Sequence, residues 1–196
     1  MPRALVTGAA RGIGRAVAEA LRDAGYEVIG TSRDPSSITD PTAGVRFLPL
    51  DLANGDSIAA CAEQAGELDL LVNNAGFSQA GPLCETPWPE IEDLITTNWT
   101  GVIRLTRAVI PLLRLSGDAS VIFTSSGVGR RAKAYWGAYA VSKFALEGLS
   151  QLLADELDDE RHNIRVNSLN PGATRTNMRS PGLSGGEPHG QSDPRG

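Results

Sequence analysis

The sequence predicts an α/β fold in which helices cover both faces of a doubly wound parallel sheet. Three observations carry this prediction. Short apolar strand patterns alternate six times with helical patterns along the chain. A glycine-rich turn links the first strand pattern to the first helical pattern, and a long helical pattern follows a strand that ends in two serines. An alternation of this kind is the pattern from which parallel sheets of βαβ units are built.

The composition is that of one domain with a single buried core. The chain has 196 residues and a formal net charge of −5, so we expect neither nucleic acid nor an anionic membrane as a partner. No stretch has the length of a membrane span, and the first ten residues lack the apolar segment of a signal peptide. We therefore expect a cytoplasmic protein. With two cysteines and two histidines at unremarkable spacing, we expect no metal site.

The first βαβ unit carries the glycine-rich turn. Residues 4–6 predict a strand, TGAARGIG follows at residues 7–14, a helical pattern runs to residue 24, and residues 27–31 predict the second strand. Glycines in such a turn let backbone amides approach a pyrophosphate at a helix N-terminus. The unit therefore predicts a dinucleotide site, although a glycine turn after a strand can also be purely structural.

The end of the second strand bears on which dinucleotide binds. An acid there favours NAD, whereas a basic residue accepts the extra phosphate of NADP. Asp34 lies beyond the strand, directly before Pro35, and we interpret it as a turn residue. Arg33 lies nearer the strand tip and could bind the phosphate, with Arg11 as a second candidate. This predicts NADP(H) over NAD, unless Arg33 is only a solvated loop charge.

The third and fourth strand patterns, residues 45–50 and 68–72, both end in polar residues. Asp51 follows the third and could accept a hydrogen bond from an adenine amino group, or cap the next helical pattern at residues 58–65. The fourth runs into NNAG at residues 73–76. Two amides and a glycine there fit a hydrogen-bonding crevice at the ligand edge of the sheet, or simply a turn.

One long helical pattern opens at Pro87 and runs to residue 115, with Thr86 as its predicted N-cap and Pro87 at its first position. Asn98 and Gly101 lie in its middle. Both are poor helix formers, so we expect a kink or a functional role there. The sequence Asn98-Trp99-Thr100 also matches a glycosylation site, which we discount because no secretory signal precedes it.

The late helical pattern, residues 133–157, carries Tyr139 and Lys143 on one face. A phenol beside an ammonium is expected to be more acidic than a free phenol. One of the two serines at the end of the preceding strand, Ser125 or Ser126, could hold a carbonyl against that phenol. This combination predicts chemistry on a carbonyl or an alcohol.

The loop before this helix contains Arg130 and Arg131, which we interpret as a solvated pair, with contact to an acidic substrate or carrier protein as the alternative. Tyr135 and Trp136 are interpreted as pocket walls or core.

A sixth strand pattern at residues 163–169 leads into Asn170-Pro171-Gly172. Beyond residue 180 the chain is rich in Gly, Pro and Ser, so we divide it into a domain of residues 1–179 and a flexible tail of residues 180–196.

The ordered set of motifs resembles the short-chain dehydrogenase/reductase family. The matching segments are TGAARGIG at 7–14, Asp51, NNAG at 73–76, Asn98, Ser126, YAVSK at 139–143 and IRVNSLNPG at 164–172. The resemblance implies a Rossmann-type fold and hydride transfer between NADP(H) and a ketone or secondary alcohol. Ser126, not Ser125, stands at the family's spacing from the tyrosine.

The resemblance also implies roles for single residues. Tyr139 would be the acid in reduction and the base in oxidation, Lys143 would lower its pKa and bind the nicotinamide ribose, Ser126 would orient the substrate oxygen, and Asn98 would hold a relay water. Asp51 and Asn73 would bind the adenosine half. The implied cofactor contacts are Gly8, Arg11, Gly12, Ile13, Gly14, Ser32, Arg33, Asp51, Leu52, Asn74, Ala75, Gly76, Tyr139, Lys143, Pro171, Gly172, Thr174 and Thr176.

The end of the sequence departs from the family pattern. Family members continue past the Pro-Gly loop with a substrate-covering segment, a helix and a seventh strand, whereas no strand pattern follows Met178. We therefore expect a six-stranded sheet that lacks the seventh strand, an open substrate pocket, and a homodimer formed through the two long helices. The alternative is a catalytically weak relative that binds NADPH and acts as a binding or regulatory protein.

Overall fold

Parallel strands form the centre of the computed structural model, which describes residues 1–158 and 163–172. The strands are β1 (Arg3–Val6), β2 (Glu27–Ser32), β3 (Val45–Pro49), β4 (Leu70–Asn73), β5 (Ala119–Thr124) and β6 (Ile164–Leu169). Within the described residues they make one six-stranded sheet in the order β3-β2-β1-β4-β5-β6. The direction of winding reverses between β1 and β4, which is where ligands bind in open sheets of this kind.

Helices connect these strands. They are α1 (Gly12–Asp23), α2 (Gly55–Ala65), α3 (Trp88–Ile95), α4 (Gly101–Leu113) and α5 (Gly137–Glu156). A π-helical turn, Thr96–Thr100, joins α3 to α4, and short 3-10 turns cover Pro35–Ser37 and Gly127–Gly129. The predicted helix over residues 87–115 is therefore two α-helices with a widened turn between them.

Successive residues of the central strands enter different layers of the core, as the pleat of a strand requires. Leu5 and Leu71 belong to the cluster that packs against α2, α4 and α5. Their neighbours Val6 and Val72 belong to the cluster that packs against α1. Because both faces of the sheet are buried, the strands read as continuous apolar runs. The predicted doubly wound parallel sheet, with helices on both faces, is confirmed.

Some predicted boundaries are wrong, and side-chain contacts explain two of them. Helix α2 begins at Gly55 because the Asn54 side chain accepts hydrogen bonds from the amides of Asp56 and Ser57 and so caps it. Helix α3 begins at Trp88, after Pro87. Thr86 does not cap it, since its hydroxyl donates to the Pro82 carbonyl at 2.9 Å. Helix α5 begins at Gly137, later than the pattern predicts.

The expected irregularity in the middle of residues 87–115 is confirmed at both positions. Asn98 lies inside the π-helical turn, a form that is rare and often marks functional sites. Gly101 lies where α4 approaches the loop after β3, and a Cβ atom there would come within 2.2 Å of the Leu52 carbonyl oxygen. Only glycine fits this contact without a shift of one backbone or the other.

Residues 1–158 and 163–172 contain neither a membrane-spanning helix nor a cluster of metal-binding side chains. No helix there is long and apolar enough to cross a membrane. No group of three or more His, Cys, Asp or Glu side chains gathers there as metal ligands would. The proposed domain boundary at residue 179, the tail and the predicted absence of a seventh strand all fall on residues 173–196, outside the described residues.

Candidate active site

The glycine-rich turn after β1 is built for close backbone approach. Gly8 and Gly12 have φ values of 68° and 57°, in the left-handed region that favours glycine. A Cβ at Gly14 would lie 2.3 Å from the Gly8 carbonyl oxygen. Helix α1 starts at Gly12 with no side-chain cap, so its first amides are available to an anion. These features fit the pyrophosphate of a dinucleotide, as the sequence predicts.

The NNAG turn after β4 supports the glycine-rich turn from behind. The Thr7 hydroxyl accepts hydrogen bonds from the amides of Asn74 and Ala75, both at 2.9 Å. The Asn74 side chain donates to the Thr7 carbonyl at 3.0 Å. Asn73 is buried, and its amide donates to the Thr106 hydroxyl on α4. The asparagine side chains are therefore held by protein groups, and any cofactor contact from Asn73 would come through its backbone.

The tip of β2 supports the interpretation of Asp34 as a turn residue. Its carboxylate accepts hydrogen bonds from the amide and hydroxyl of Ser36 and caps the 3-10 turn Pro35–Ser37. These bonds from Ser36 hold the pKa of Asp34 below its ordinary value. Arg33 and Arg11 are exposed, and among the described residues neither forms an ion pair. Both guanidinium groups remain available for a phosphate.

The two predicted contacts after β3 have local structural partners. One oxygen of the Asp51 carboxylate accepts the Ala53 amide at 2.9 Å, and the Asp51 amide donates to the Ser57 hydroxyl. Asp51 therefore closes the turn before α2, while Asn54 caps the helix. Leu52 is 5% exposed and belongs to the core, so only its backbone can face a ligand.

The Asn98 side chain links the π-helical turn to the loop after β4 by hydrogen bonds. Its side-chain oxygen accepts the Phe77 amide at 3.0 Å, and its side-chain nitrogen donates to the Phe77 carbonyl at 2.8 Å. The same nitrogen contacts the Ser142 hydroxyl, which donates to the Tyr139 carbonyl. The side-chain oxygen and nitrogen of Asn98 are thus both bonded to protein groups. A relay water would therefore have to be held by the Asn98 backbone, and this role stays a prediction.

Lys143 is buried beneath the tyrosine. Its ammonium donates to the Thr124 carbonyl at the end of β5 at 2.8 Å and lies 5.6 Å from the centre of the Tyr139 ring. The side chain is 6% exposed. Loss of hydration lowers the pKa of Lys143 from 10.5 to about 8, because a buried ammonium is poorly stabilised.

Tyr139 is also buried, and its hydroxyl hydrogen-bonds to Ser126. Burial raises the pKa of Tyr139 above 10.0, and the Ser126 hydrogen bond opposes this rise. The pKa of Tyr139 is raised overall, so the expectation of a phenol made more acidic by Lys143 is wrong. Ser126 is the serine that contacts the phenol, and its role in orienting a substrate stays a prediction.

An aromatic wall stands beside the phenol. The rings of Trp136 and Tyr139 lie 5.6 Å apart at 40°. Tyr135 is 64% exposed and has a φ of 67°, which is unusual for a residue with a side chain. Its carbonyl accepts the Gly81 amide at 2.9 Å and so joins this segment to the loop after β4. Nothing in the sequence signalled this left-handed conformation.

The loop after β6 is described only up to Gly172. Gly172 has a φ of 71°, and its amide donates to the Asn170 side chain at 3.1 Å. Pro171 and Gly172 therefore lie in a turn next to the strand end, as expected of a Pro-Gly loop. The predicted contacts Thr174 and Thr176 lie outside the described residues.

The fold and the geometry of this site place the protein in one class. The profile of the short chain dehydrogenase family matches residues 2–184, and the chain belongs to this family. Within it, the chain is 37% identical over 191 residues to the uncharacterized oxidoreductase YciK of Escherichia coli, covering 90% of this chain and 75% of the relative.

Two further similarities are informative. The chain is 36% identical to a 3-ketodihydrosphingosine reductase of Bacteroides thetaiotaomicron, covering 88% of this chain but 64% of that enzyme. The crystal structure of a short chain dehydrogenase of Shigella flexneri complexed with NADP superimposes with a TM-score of 0.87 at 36% identity. That match covers 99% of this chain and 86% of the other. The oxidoreductase family and the Rossmann-type fold implied by the sequence motifs are thereby confirmed.

Proposed function

We propose that this protein is an NADP(H)-dependent oxidoreductase that acts on a ketone or secondary alcohol, with Tyr139 as its general acid and base. One observation carries the proposal: a buried phenol bonded to Ser126 lies above a buried ammonium, at the ligand edge of a dinucleotide fold. When bound, the nicotinamide supplies or accepts the hydride. The chain's own residues manage the proton and the developing charge.

In the reducing direction, Ser126 and Tyr139 hydrogen-bond to the substrate carbonyl oxygen. As hydride reaches the carbonyl carbon, the π electron pair moves to that oxygen, which takes the phenol proton of Tyr139. The raised pKa keeps Tyr139 in the phenol form before the reaction, which suits an acid. The Lys143 ammonium then stabilises the phenolate that forms.

A carbonyl-reduction assay tests this proposal. Oxidation of NADPH is followed with a panel of ketones that includes 3-ketodihydrosphingosine, because the similar Bacteroides enzyme reduces it. Tyr139→Phe should lower kcat by about a hundredfold or more, the usual contribution of a general acid. The control is Tyr26→Phe, which changes a partly buried tyrosine beside α1 and should leave kcat unchanged. Tight NADPH binding without turnover that depends on Tyr139 would favour the catalytically weak binding protein instead.

The preference for NADP(H) rests on Arg33, with Arg11 across the turn. Arg33→Ala should raise the dissociation constant of NADPH about tenfold and leave that of NADH nearly unchanged, because only NADPH carries the 2′-phosphate. Arg104→Ala, an exposed arginine on α4, is the control. Equal effects of Arg33→Ala on both cofactors would refute the phosphate contact.

We further propose that a second copy of the chain packs against α4 and α5. These helices border a groove of about 390 Å³ with a largely apolar lining, including Ile103, Ile110, Leu149, Leu152 and Leu157. On α5, Val141 is 54% and Leu152 53% exposed, so the same helix also presents apolar side chains to solvent. Light scattering should give a dimer mass, and Leu152→Asp should give a folded monomer.

The cytoplasmic location is also part of the proposal. Cys61 and Cys84 are free thiols, one buried and one exposed. An exposed free thiol suits a reducing compartment. Fractionation of cells that produce the protein should recover it with the cytoplasmic enzymes.

A further inference from the structure

A cluster of three side chains links the turn after Ser126 to helix α5 and strand β6. The Arg130 guanidinium donates through Nε to one oxygen of Glu147 at 3.0 Å. Through Nη2 it donates to the Ser168 hydroxyl at 3.2 Å, and that hydroxyl donates to the other Glu147 oxygen at 2.8 Å. The three groups form a closed ring, which we call the Glu147 clamp.

Each member of the clamp comes from a different element of the site. Arg130 ends the 3-10 turn Gly127–Gly129 that directly follows Ser126. Glu147 lies on α5, one helical turn after Lys143. Ser168 lies on β6, just before Asn170 and the Pro-Gly loop. One carboxylate therefore joins the elements that carry the serine, the tyrosine–lysine pair and the Pro-Gly loop.

The turn after Ser126 is pressed against α5 where the clamp holds it. A Cβ atom at Gly129 would lie 2.8 Å from the Lys143 Cβ atom, so the backbone of the turn contacts the catalytic helix directly. Arg130 extends this contact by bonding to Glu147 further along the helix. The turn that follows Ser126 is therefore held on α5 at two successive residues, Gly129 and Arg130.

The clamp has a charge that is held largely out of water. The Glu147 side chain is 15% exposed, whereas that of Arg130 is 54% exposed. Burial raises the pKa of Glu147, but hydrogen bonds from Ser125, Ser168 and Arg130, in that order of size, more than offset this and leave the pKa below its ordinary value. A desolvated carboxylate with both oxygens occupied fixes geometry more firmly than an exposed ion pair does.

We propose that Glu147 is a positioning residue for the reaction: with Arg130 and Ser168 it seats the Ser126 turn on α5 and so sets the hydrogen bond between Ser126 and Tyr139. The inference rests on the proposed function for its kinetic consequence. Its structural consequence, the contact between Ser126 and Tyr139, can be measured without turnover.

The test compares Glu147→Gln with wild type in two readouts. The first is titration of Tyr139, taken as the phenolate absorbance that disappears in the matching Tyr139→Phe protein. Because the Ser126 hydrogen bond lowers the pKa of Tyr139, both Glu147→Gln and Ser126→Ala should raise that pKa. The double variant that combines Glu147→Gln with Ser126→Ala should show no further rise in this pKa, since both changes remove the hydrogen bond between Ser126 and Tyr139.

The second readout is steady-state kinetics. Displacement of Ser126 should lower kcat about tenfold or more while the KM for NADPH changes less than about twofold, because a small misplacement of a catalytic group costs rate rather than cofactor binding. Ser168→Ala should shift both readouts in the same direction by less, and Ser168→Thr, which keeps the hydroxyl, should restore them. Ser168→Ala also serves where Glu147→Gln folds poorly.

The matched control is Asp118→Asn, which removes an exposed ion pair with Arg165 at the opposite end of the strands β5 and β6. It should change neither readout. The proposal is overturned if Glu147→Gln lowers only the unfolding midpoint and leaves the titration of Tyr139 as in wild type. If wild type shows no turnover that depends on Tyr139, the proposed function fails, and the titration still decides the role of the clamp.

Discussion

Replacing Lys143 with methionine should change how the stability of the protein depends on pH. The ammonium is buried, and its pKa is lowered from 10.5 to about 8. At about 1.4 kcal/mol per pKa unit, this difference corresponds to about 3 kcal/mol of destabilisation while the folded protein keeps the charge. The folded protein therefore bears a cost in stability at the residue that, in the proposed function, stabilises the phenolate, a common trade at active sites.

The sign of the effect follows from proton binding. Between about pH 8 and 10.5 the unfolded chain keeps the Lys143 proton that the folded chain has released. The unfolded state then binds more protons, so the free energy of unfolding rises with pH in this window. Below about pH 8 both states hold the proton and the contribution is constant. From pH 7 to 9.5 the gain is about 2 kcal/mol.

Urea unfolding of wild type and Lys143→Met at several pH values measures this gain as the difference between the two proteins. Cys61, whose burial raises its pKa to about 11, titrates over part of this range in both proteins, so its contribution cancels. Gly148→Ala, which changes the same helix without removing a titratable group, is the control, and its difference from wild type should not vary with pH. A difference that stays constant or falls between pH 7 and 9.5 would refute the burial of a tuned ammonium.

Three substitutions test the backbone account by urea unfolding. Gly148→Ala should stabilise the protein by about 0.5–1 kcal/mol, because Gly148 lies inside α5 and a Cβ atom there meets open space; Gly25→Ala, equally open but with a φ of 89°, is the control and should destabilise it. Gly101→Ala should destabilise the protein by about 2 kcal/mol or more, because its methyl group would meet the Leu52 carbonyl; a neutral effect would contradict the close approach of α4. Tyr135→Asn should leave stability unchanged or raise it by up to about 1 kcal/mol, because asparagine accepts a left-handed φ more readily; a loss would mean that the exposed ring packs against something essential.

The layered fold was predictable because burial on both faces leaves a direct trace in the sequence. Strands such as β4 must be apolar at successive positions, and Leu71 and Val72 show this without any tertiary information. Helix starts were predicted less well. Whether Asn54 or Asp51 caps α2 depends on backbone angles that several nearby polar residues could adopt.

Contacts between distant segments escaped the sequence patterns. The poor helix propensity of Asn98 marked an irregular turn, but its partner Phe77 lies in a separate loop that has no matching pattern. Arg130 was interpreted as a solvated charge, because nothing near it in the chain suggests the bond to Glu147. The acidity of Tyr139 was misjudged because a sequence shows which charges are neighbours but not how much water is excluded.

The central claim is that Tyr139 delivers the proton while NADPH delivers hydride to a ketone. It is tested most directly with NADPH deuterated at the transferable position, by mass spectrometry of the alcohol formed in a single turnover. Wild type should place one deuterium on the carbinol carbon. Tyr139→Phe should bind the cofactor equally well yet form the labelled alcohol about a hundredfold more slowly. Equal rates of labelling by both proteins would contradict the role of Tyr139, and an unlabelled alcohol from wild type would contradict hydride transfer.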